Sequence, residues 1–445
     1  MMQEMKDSGI KWIGEIPADW ELNKIKYIAV LKGRIGWQGL TSEEYSDEGA
    51  YLITGTDFEN GGINWDSCVH VPMKRWEEAR DIQIENGDLL ITKDGTIGKV
   101  AIVSGCDAPT SLNSGVLRIS LADGYDRNFL FWVLQSEVFW SWFTDKNAGN
   151  STIQHLYQGD FAEFKYAIPP LAEQQAIAAF LDDKCAKLDS IIADLERQIE
   201  ILQEYKKSEI GHAVTKGLNP SVPMKDSGID WIGQMPEHWN MNRIRYIADI
   251  CSGATPSKEV NEYWEGDIPW VSSQEVKEDV LYDTSLHISE NGMKSCSTKL
   301  MDKGTLVMVV RSGILQHTLP VALLGTPATI NQDIRAFMCS DDILPAFLMY
   351  YIQGNNDILL NILMKDKSTV ESIDYNLLLS CKVLLPPIDE QRNIISFLNK
   401  RCLFTNRLID DKQAQLNTIT NQKSSLIYEY VTGKKRVKEA AIHAD

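Results

Sequence analysis

Two short loops carry residue types that can read the edges of DNA bases. Residues 93–99 read K-D-G-T-I-G-K, and residues 311–317 read R-S-G-I-L-Q-H. In each loop a cation stands before a glycine turn and polar groups follow it, with Lys93 aligned to Arg311. Arginine and lysine donate to guanine in the major groove, whereas asparagine and glutamine bond adenine. The pattern therefore predicts two base-reading loops, one in each half of the chain.

An asparagine follows each loop at a matching distance. Asn113 is followed by Ser114, Asn331 is followed by Gln332, and Arg335 lies just beyond. The alternative interpretation is a surface hairpin in which the asparagine caps a turn. Because the cation and the asparagine recur together in both halves, we favour contact with DNA. The candidate DNA-binding residues are Lys93, Thr96, Lys99, Asn113, Ser114, Arg311, Ser312, His317, Asn331, Gln332 and Arg335.

No motif in the sequence predicts an active site or a metal site. The segment 95–99 resembles a phosphate-binding loop, but the G-x-x-x-x-G-K-[ST] spacing is absent. There is no His/Cys metal spacing, no nucleophile elbow and no Asn-Pro-Pro-aromatic or Asp-Pro-Pro-aromatic tetrapeptide. Glu275-Val276-Lys277 could be half of a metal-dependent nuclease motif, yet no acidic partner stands at a convincing spacing. We therefore expect no catalytic residue and no metal ligand in this chain.

The overall charge argues against tight binding of DNA by this chain alone. The net charge of the 445 residues is -18, whereas DNA-binding proteins usually carry a basic surface. A DNA reader of this composition must cluster its cations on one face or rely on a partner for phosphate attraction. The eight scattered cysteines, the lack of a secretion signal and the short apolar runs predict a protein of the reducing cytoplasm.

The chain contains two repeated blocks with unlike segments between them. Residues 5–14 return as 224–233, and residues 169–174 (P-P-L-A-E-Q) return as 386–391 (P-P-I-D-E-Q). The segments 30–165 and 249–382 are far less alike. Internal repetition of this kind indicates a duplicated framework with diverged inserts.

A heptad pattern follows each Pro-Pro pair and predicts a long helix of roughly 60 Å at about 1.5 Å per residue. The alternative is an ordinary bundle helix. Because two such stretches occupy matching places in the repeat, we expect them to pack on each other in antiparallel orientation. Thr405, Lys412 and Lys423 weaken the second pattern. The predicted seam is Leu181, Cys185, Leu188, Ile192, Leu195, Ile199, Leu202, Leu398, Cys402, Ile409, Leu416 and Ile419.

Each insert has the sequence signals of a domain with both strands and helices. Strands are expected at 51–54 and 268–271, at 87–93 and 304–311 with a slip of one residue, and near Val116 and Ile334. Apolar helices are expected at 128–143 and 344–352. Four repeated tryptophans could stack on bases, but their setting beside Gly and Pro favours a buried docking segment. These tryptophans are Trp12, Trp20, Trp231 and Trp239.

The two G-I-x-W-I-G-x-x-P-x-x-W segments at 9–20 and 228–239, and the two P-P-x-x-E-Q helix starts at 169–174 and 386–391, resemble the specificity subunit of type I restriction–modification systems. The resemblance covers essentially the whole chain. It implies an α+β fold in which two target-recognition domains are separated by two long antiparallel coiled-coil helices, with an internal pseudo-two-fold repeat. Each domain would read one part of a bipartite, asymmetric DNA target, since unlike domains on a symmetric frame do not predict a palindrome.

The resemblance also implies the partners and the domain boundaries. Two methyltransferase subunits would dock on the helices, and restriction subunits could join the complex. S-adenosylmethionine, ATP and magnesium would belong to those partners, and this chain would hold no cofactor. The helices would set the gap between the readers, which must lie near one turn of DNA, about 34–36 Å, or a multiple of it. The expected segments are 1–20 (docking), 21–165 (recognition domain 1), 166–216 (central helix), 217–240 (second docking segment), 241–382 (recognition domain 2), 383–432 (distal helix) and 433–445 (basic, flexible tail).

Two other classes of function stay open from the sequence. One is a divergent DNA nuclease that acts alone, with Glu275 in its active site. The other is a protein-binding scaffold with no role in DNA recognition. The basic run at 434–438 could contact phosphate or an acidic partner, but a solvated terminus is the default expectation.

Overall fold

A computed structural model describes residues 4–34, 40, 42–148, 154–365 and 370–437. These residues form two compact units: unit 1 is Met1–Leu195 with Ala414–Asp445, and unit 2 is Glu196–Gln413. Lys438 of the predicted basic run lies outside the described residues. Among the helices of the described segments, none combines the length and the apolar character that crossing a membrane would require.

Unit 1 has thirteen strands and five helices before its long helix among the described residues. The strands are β1 (Met5–Asp7), β2 (Glu15–Pro17), β3 (Glu21–Lys24), β4 (Ala29–Gly33), β5 (Ala50–Ile53), β6 (Phe58–Glu59), β7 (Gly62–Ile63), β8 (Val69–Val71), β9 (Leu89–Thr92), β10 (Val100–Ile102), β11 (Thr110–Leu112), β12 (Val116–Leu121) and β13 (Lys165–Ile168). The helices are α1 (Ile25–Ile28), α2 (Met73–Glu78), α3 (Arg127–Gln135), α4 (Glu137–Lys146), α5 (Gln158–Ala162) and the long α6 (Leu171–Lys216), whose residues belong partly to unit 2.

The second half of the chain repeats this order of elements. Its strands are β14 (Met224–Asp226), β15 (Gln234–Pro236), β16 (Asn240–Arg243), β17 (Ala248–Ser252), β18 (Ile268–Val271), β19 (Val280–Leu281), β20 (His287–Ile288), β21 (Leu306–Val309), β22 (Val321–Leu324), β23 (Thr329–Ile330), β24 (Ile334–Cys339) and β25 (Lys382–Leu385). Its helices are α7 (Ile244–Ile247), α8 (Glu290–Lys294), α9 (Pro345–Gly354), α10 (Asn356–Leu363), α11 (Tyr375–Ser380) and α12 (Ile388–Val431).

The sheets of the two units have corresponding strand orders. Unit 1 contains a sheet of order β10-β9-β12-β4 and a second of order β11-β5-β8, in which β5 and β11 are parallel. Unit 2 contains β17-β24-β21-β22-β19 and β20-β18-β23, in which β18 and β23 are parallel. Two-stranded pairs β3–β13 and β16–β25 join the beginning of each insert to its end. The mixed strand and helix content agrees with the expected α+β class.

Strand β9 is buried on both of its faces, which explains its unbroken apolar sequence. Leu89 and Ile91 point into the core that α3 and α4 cover, whereas Leu90 points into a second core beneath β5. Strand β21 divides its side chains in the same way between two cores. The expected single helix at 128–143 is broken at Ser136, whose hydroxyl accepts from the Val138 amide and caps α4.

The long helices pack in antiparallel orientation within each unit, so the coiled-coil prediction is confirmed. In unit 1, Phe180 packs against Tyr430 with ring centroids 4.5 Å apart, and Asp189 pairs with Lys423 at 2.5 Å. Residue numbers therefore rise along α6 as they fall along α12. In unit 2, the Lys206 ammonium donates to the Asn406 side chain at 2.9 Å, and Arg401 pairs with Glu209 at 2.7 Å, in the same sense.

Burial along the helices follows the predicted seam. None of its twelve residues is exposed, and Leu181, Cys185 and Leu398 are almost fully buried. By contrast, Ile191 and Ile201 lie outside the heptad positions and are 44% and 53% exposed. Of the residues expected to weaken the second pattern, Thr405 is buried, and Lys423 reaches out of the seam to the Asp189 carboxylate.

Candidate nucleic-acid interface

The ends of three strands form one polar edge in unit 1. Strands β5 and β11 are parallel, so both end on the same side, and the amide of Asn113 donates to the carbonyl of Ile53 at 2.9 Å. The amide of Lys93, just after β9, donates to the carbonyl of Gly115 at 2.8 Å. The Thr96 hydroxyl donates to the carbonyl of Gly55 at 2.9 Å. We call this edge the strand-end site of unit 1; it brings Lys93, Thr96, Asn113 and Ser114 together.

Unit 2 builds the same edge from the corresponding strands. The amide of Asn331 donates to the carbonyl of Val271 at 3.0 Å, as Asn113 does to Ile53. Just after β21, the amide of Val310 donates to the carbonyl of Asp333 at 2.8 Å. This strand-end site of unit 2 brings together Arg311, Asn331 and Gln332 from the sequence prediction.

The backbone hydrogen bonds correct the predicted alignment of the two loops. Lys93 was expected to match Arg311, but Val310 makes the bonds that Lys93 makes. The amide of Lys93 donates to residue 115, and its carbonyl accepts from Leu156; the amide of Val310 donates to residue 333, and its carbonyl accepts from Ile373. Pairing of β9 with β12 and of β21 with β24 gives the same register. Sequence comparison placed a slip of one residue inside the strand. In the structure the loop itself differs in length: the Thr92 amide donates to the carbonyl of Lys99 across six residues, and the equivalent Val309 amide donates to the carbonyl of Pro320 across ten.

The corrected register makes Asp94 the counterpart of Arg311, so the two strand-end sites differ in charge. Asp94 accepts from His155, with Asp94 Oδ1 and His155 Nδ1 2.7 Å apart, and their side chains are 42% and 40% exposed. The Arg311 side chain is 60% exposed, and its Nη1 lies 4.0 Å from Asp333 Oδ1. Asp94, His155 and Asp333 were not among the predicted residues; an exposed Asp–His pair separated by 61 residues leaves no motif in the sequence.

Both asparagines shape the turn that follows their strand. The Asn113 carbonyl oxygen accepts from the Gly115 amide at 3.1 Å, and the Asn331 carbonyl oxygen accepts from the Asp333 amide at 3.0 Å. This is the turn-capping role that the sequence left as the alternative. Asn331 is 5% exposed, and its amide nitrogen donates to Asp333 Oδ2 at 3.3 Å. The Asn113 amide nitrogen donates to the Tyr45 hydroxyl at 3.2 Å. Contact of either side chain with a base stays a prediction.

The side chains that follow the asparagines are also engaged. The Ser114 hydroxyl donates to Asn113 at 3.0 Å, and Gln332 accepts from the Thr255 hydroxyl at 2.6 Å, although both residues are exposed. Arg335 donates to the Ser252 hydroxyl at 3.0 Å and to the carbonyl of Gln332 at 2.9 Å. Arg335 therefore supports the turn of the unit 2 site from below.

Three predicted residues lie away from the strand ends. Lys99 Nζ lies 3.5 Å from the carbonyl of Phe58 and lines a cavity of about 730 Å³ in unit 1 with Trp140. Ser312 and His317 flank a short 3-10 helix, Gly313–Gln316, and line a cavity of about 1010 Å³ in unit 2. The sequence grouped these residues with the strand ends because they share a loop, but the loop carries them to another face.

The repeated tryptophans are structural, as the docking-segment interpretation predicted. Trp20 and Trp239 are fully buried, and Trp12 and Trp231 are partly buried against the two main cores. Trp20 Nε1 donates to Glu173 at 3.1 Å, whereas Trp239 Nε1 is buried without a hydrogen-bond partner among the described residues.

The glutamine of each P-P-x-x-E-Q segment has a role that the sequence did not suggest. The Gln174 side chain accepts from the Asp126 amide at 2.8 Å and donates to the carbonyl of Pro169 at 2.8 Å. Gln391 likewise accepts from the Leu344 amide at 2.9 Å and donates to the carbonyl of Pro386 at 2.9 Å. Both are buried, so each glutamine ties the start of a long helix to the helices of its insert.

The described part of the basic tail is docked rather than solvated. Lys434 donates to the carbonyls of Ile13 and Glu15 at 2.9 and 2.7 Å. Arg436 pairs with Asp19 at 2.5 Å, and that bond lowers the pKa of the Asp19 carboxyl. The expectation of a flexible terminus is therefore wrong for residues 434–436, because the repeated docking segment supplies acceptors for them.

Glu275, the residue that the nuclease alternative places in an active site, is hydrogen-bonded to Ser285. Its carboxylate accepts from the Ser285 hydroxyl and from the Ser285 amide, the latter at 3.4 Å. Within the described ranges, no group of three or more His, Cys, Asp or Glu side chains is arranged to hold a metal ion.

Comparison with known proteins identifies the family. The type I restriction modification DNA specificity domain matches residues 17–201 and 236–418, which is most of the chain and one copy in each half. The chain belongs to this family. The corresponding halves of the framework are thus two copies of one specificity domain.

Named relatives agree with this assignment, and one solved structure shares the fold. The specificity subunit of the Escherichia coli type I restriction enzymes EcoR124I/EcoR124II is 34% identical over 261 residues, which is 58% of this chain and 58% of that relative. The putative type I restriction enzyme MjaX specificity subunit of Methanocaldococcus jannaschii is 25% identical over 455 aligned residues, or 98% of this chain and 99% of that one. A chain solved in work on complex assembly and conformational transition of the type I R-M system shares the fold, with a TM-score of 0.67 at 17% identity, covering 94% and 99% of the two chains.

Proposed function

We propose that this chain is the DNA-recognition subunit of a type I restriction–modification complex and that each unit reads one part of a bipartite, asymmetric target. The observation that carries the proposal is the pair of strand-end sites. Each is built by the same backbone bonds on corresponding strands, yet Asp94 stands in unit 1 where Arg311 stands in unit 2. A conserved frame with exchanged side chains suits two readers of different sequences.

The proposal includes partners that carry the chemistry. Two methyltransferase subunits would dock on the duplicated framework, and restriction subunits would join them, so this chain would be non-catalytic. S-adenosylmethionine, ATP and magnesium would be bound by the partners. Because the net charge is -18, the partners would supply much of the attraction to phosphate. The complex would act in the cytoplasm, and the lengths of α6 and α12 would set the gap between the two parts of the target.

The decisive experiment exchanges one insert and maps the modified DNA. The chain is expressed with its methyltransferase, and the methylated sequence is determined across a genome. Exchange of residues 30–165 for those of a relative should change one part of the target and leave the other part unchanged. An unchanged methylated sequence would favour a scaffold without a role in recognition.

Gel-shift titration tests the dependence on partners. The lone chain should bind duplex DNA weakly, and the complex should bind it tightly and specifically. Tight, specific binding by the lone chain would contradict the dependence on partners. Cleavage of plasmid DNA by the lone chain with magnesium, abolished by Glu275→Ala, would instead support the nuclease alternative.

A further inference from the structure

We propose that Asp94 and Arg311 are equivalent specificity-determining residues that read opposite hydrogen-bonding groups. Arg311 donates to guanine, and Asp94 accepts from the exocyclic amino group of cytosine or adenine. The inference rests on the proposed function, because it names the chemistry at each site where a unit contacts DNA. It depends on the corrected register, since the sequence alignment matched Arg311 to Lys93.

The first support is the equivalence of the two backbone positions. Asp94 directly follows Lys93, whose amide donates to residue 115 and whose carbonyl accepts from residue 156. Arg311 directly follows Val310, whose amide donates to residue 333 and whose carbonyl accepts from residue 373. Their Cα atoms therefore hold the same place at the edge of corresponding sheets. Side chains projecting from that place present themselves to a duplex in the same way, so a change in their charge changes the groups that they can bond.

The second support is that a residue beside Asp94 and Arg311 differs between the units in the way that their opposite charges require. Asp333 stands in unit 2 where Gly115 stands in unit 1, as the equivalent backbone acceptors show. Asp333 Oδ1 lies 4.0 Å from Arg311. A Cβ on Gly115 would lie 3.7 Å from the Asp94 Cβ, so an acid there would face a like charge. Unit 1 instead pairs Asp94 with His155.

The third support is that these pairs are exposed and also held in position. Surface pairs such as these, whose side chains are 23% to 60% exposed, contribute little to folding stability, so stability does not account for them. A carboxylate or an imidazole beside a reading side chain restricts its rotamers, which lowers the entropy that binding must overcome. The pairs therefore suit recognition better than they suit support of the fold.

The free hydrogen-bonding capacity of each residue defines the base that it fits. Among the described residues, Asp94 Oδ2 has no hydrogen-bond partner, and a carboxylate oxygen only accepts. In the major groove, cytosine N4 and adenine N6 are the donors that such an oxygen meets. The Arg311 guanidinium donates only, and its planar fork matches O6 and N7 of guanine.

The test uses the complex of this chain with its methyltransferase and maps methylated sites. Arg311→Gln should reduce binding to the guanine-containing half-site by about 5- to 150-fold and relax the base preference there, while the other half-site keeps its sequence. Asp94→Ala, which removes the acceptor, should do the same at one amino-bearing base of the other half-site. Which base relaxes, cytosine or adenine, identifies the partner of Asp94.

Matched controls come from the opposite end of the same strands. Glu85 and Lys303 are exposed residues that precede β9 and β21. Glu85→Gln and Lys303→Gln remove one charge each and should leave both half-sites unchanged. Equal weakening on every DNA sequence after Arg311→Gln would mean a phosphate contact and would overturn the proposal. If the unsubstituted complex shows no sequence preference, the proposed function itself is wrong, whatever Arg311→Gln does.

A transplant and a modified DNA complete the test. Gly115 has ordinary space for a Cβ, so Asp94→Arg with Gly115→Asp should build the unit 2 pair in unit 1 and change its preferred base to guanine. The unsubstituted complex should also bind less tightly to DNA in which one guanine is replaced by 7-deazaguanine, which lacks N7. Arg311→Gln should remove that sensitivity. Persistence of the sensitivity in this variant would overturn the assignment without any dependence on the folding of the transplant.

Discussion

The two units have the same backbone contacts but carry different side chains at equivalent positions outside those contacts. Asp189 of α6 pairs with Lys423 of α12 in unit 1, and the corresponding residues in unit 2 are Asn406 and Lys206, whose side chains are 2.9 Å apart. Gln174 and Gln391 make the same bonds in both units. The buried and backbone contacts thus tolerate little change, whereas outward-facing groups are free to diverge.

The largest predicted effect is at the buried tryptophans. Trp20→Ala and Trp239→Ala should each lower the free energy of unfolding by about 3–5 kcal/mol, because each indole is fully buried. Chemical denaturation of the chain measures the change. As controls, Tyr27→Ala and Tyr246→Ala remove rings that are 67% and 63% exposed and should change it by less than about 0.5 kcal/mol.

The same tryptophans should distinguish the two units when each indole is replaced by a phenyl ring, which is smaller and has no N–H. Trp20→Phe should destabilise by about 1–2 kcal/mol more than Trp239→Phe, because it also removes the donor to Glu173. Burial raises the pKa of the Glu173 carboxyl, because water solvates its charged form incompletely. Equal losses in the two variants would show that the Glu173 bond contributes nothing.

The next effect should be equal in the two units. Gln174→Ala and Gln391→Ala should each lower the free energy of unfolding by about 1–3 kcal/mol, because each leaves buried backbone groups without a partner. Hydrogen exchange should speed up at the start of α3 or α9, respectively. Gln175→Ala and Asn393→Ala, on the exposed side of the same helices, should have little effect. A large difference between the two glutamines would break the equivalence of the units.

The contact between the helices should differ in its response to salt. Asp189→Asn in unit 1 should lose up to about 1 kcal/mol at low ionic strength, and Asn406→Asp in unit 2 should gain a similar amount. Both changes should nearly vanish at about 1 M salt, where the Debye length is about 3 Å. Thermal unfolding at the two salt concentrations measures this, and equal changes at both would show that charge is not responsible.

The smallest effect is a local response to acid in unit 1 alone. Hydrogen bonds from Lys24 and Lys26 lower the pKa of the Glu163 carboxyl from 4.5 to about 2. Because the folded pKa is the lower one, this contribution is complete above pH 4.5 and is lost as the pH falls towards about 2. The counterpart of Glu163 in unit 2 is Ser380, which accepts from Arg245 at 2.7 Å and does not titrate.

Hydrogen exchange at the two strand pairs checks this response. Between pH 4.5 and about 2, protection should fall more in β3–β13 of unit 1 than in β16–β25 of unit 2. Glu163→Gln should remove the difference between the units. If protection falls equally in both strand pairs, and does so in the unsubstituted chain as well as in that variant, other carboxyl groups cause the acid response.

Much of the fold could be predicted because its signals are periodic or repeated. The heptads fixed the buried face of α6 and α12, and β18 begins and ends where the apolar run does. The predicted helix at 128–143 is two helices, because Ser136 offers a local cap that a hydrophobic pattern does not record. The docked tail was missed for a related reason: its acceptors, such as the carbonyl of Ile13, are backbone groups distant in sequence.

The candidate site was predictable in place but not in register. Both loops and both asparagines could be found, yet similar letters around Lys93 and Arg311 suggested a match that the backbone does not make. The loop of unit 2 is four residues longer, and a change of loop length costs little free energy, so residue similarity cannot locate it. His155 joined the site only in the structure, since 61 residues separate it from Asp94.

The amino-acid sequence alone predicted the duplication, the buried seams of the long helices and the family of the chain. Repeats and heptad spacing can be recognised in a sequence without its structure. Folding decided which outward side chains are equivalent and which meet. Strand pairing aligns residues by backbone hydrogen bonds. Those bonds make Asp94 of unit 1 the counterpart of Arg311 of unit 2, although their residue types differ.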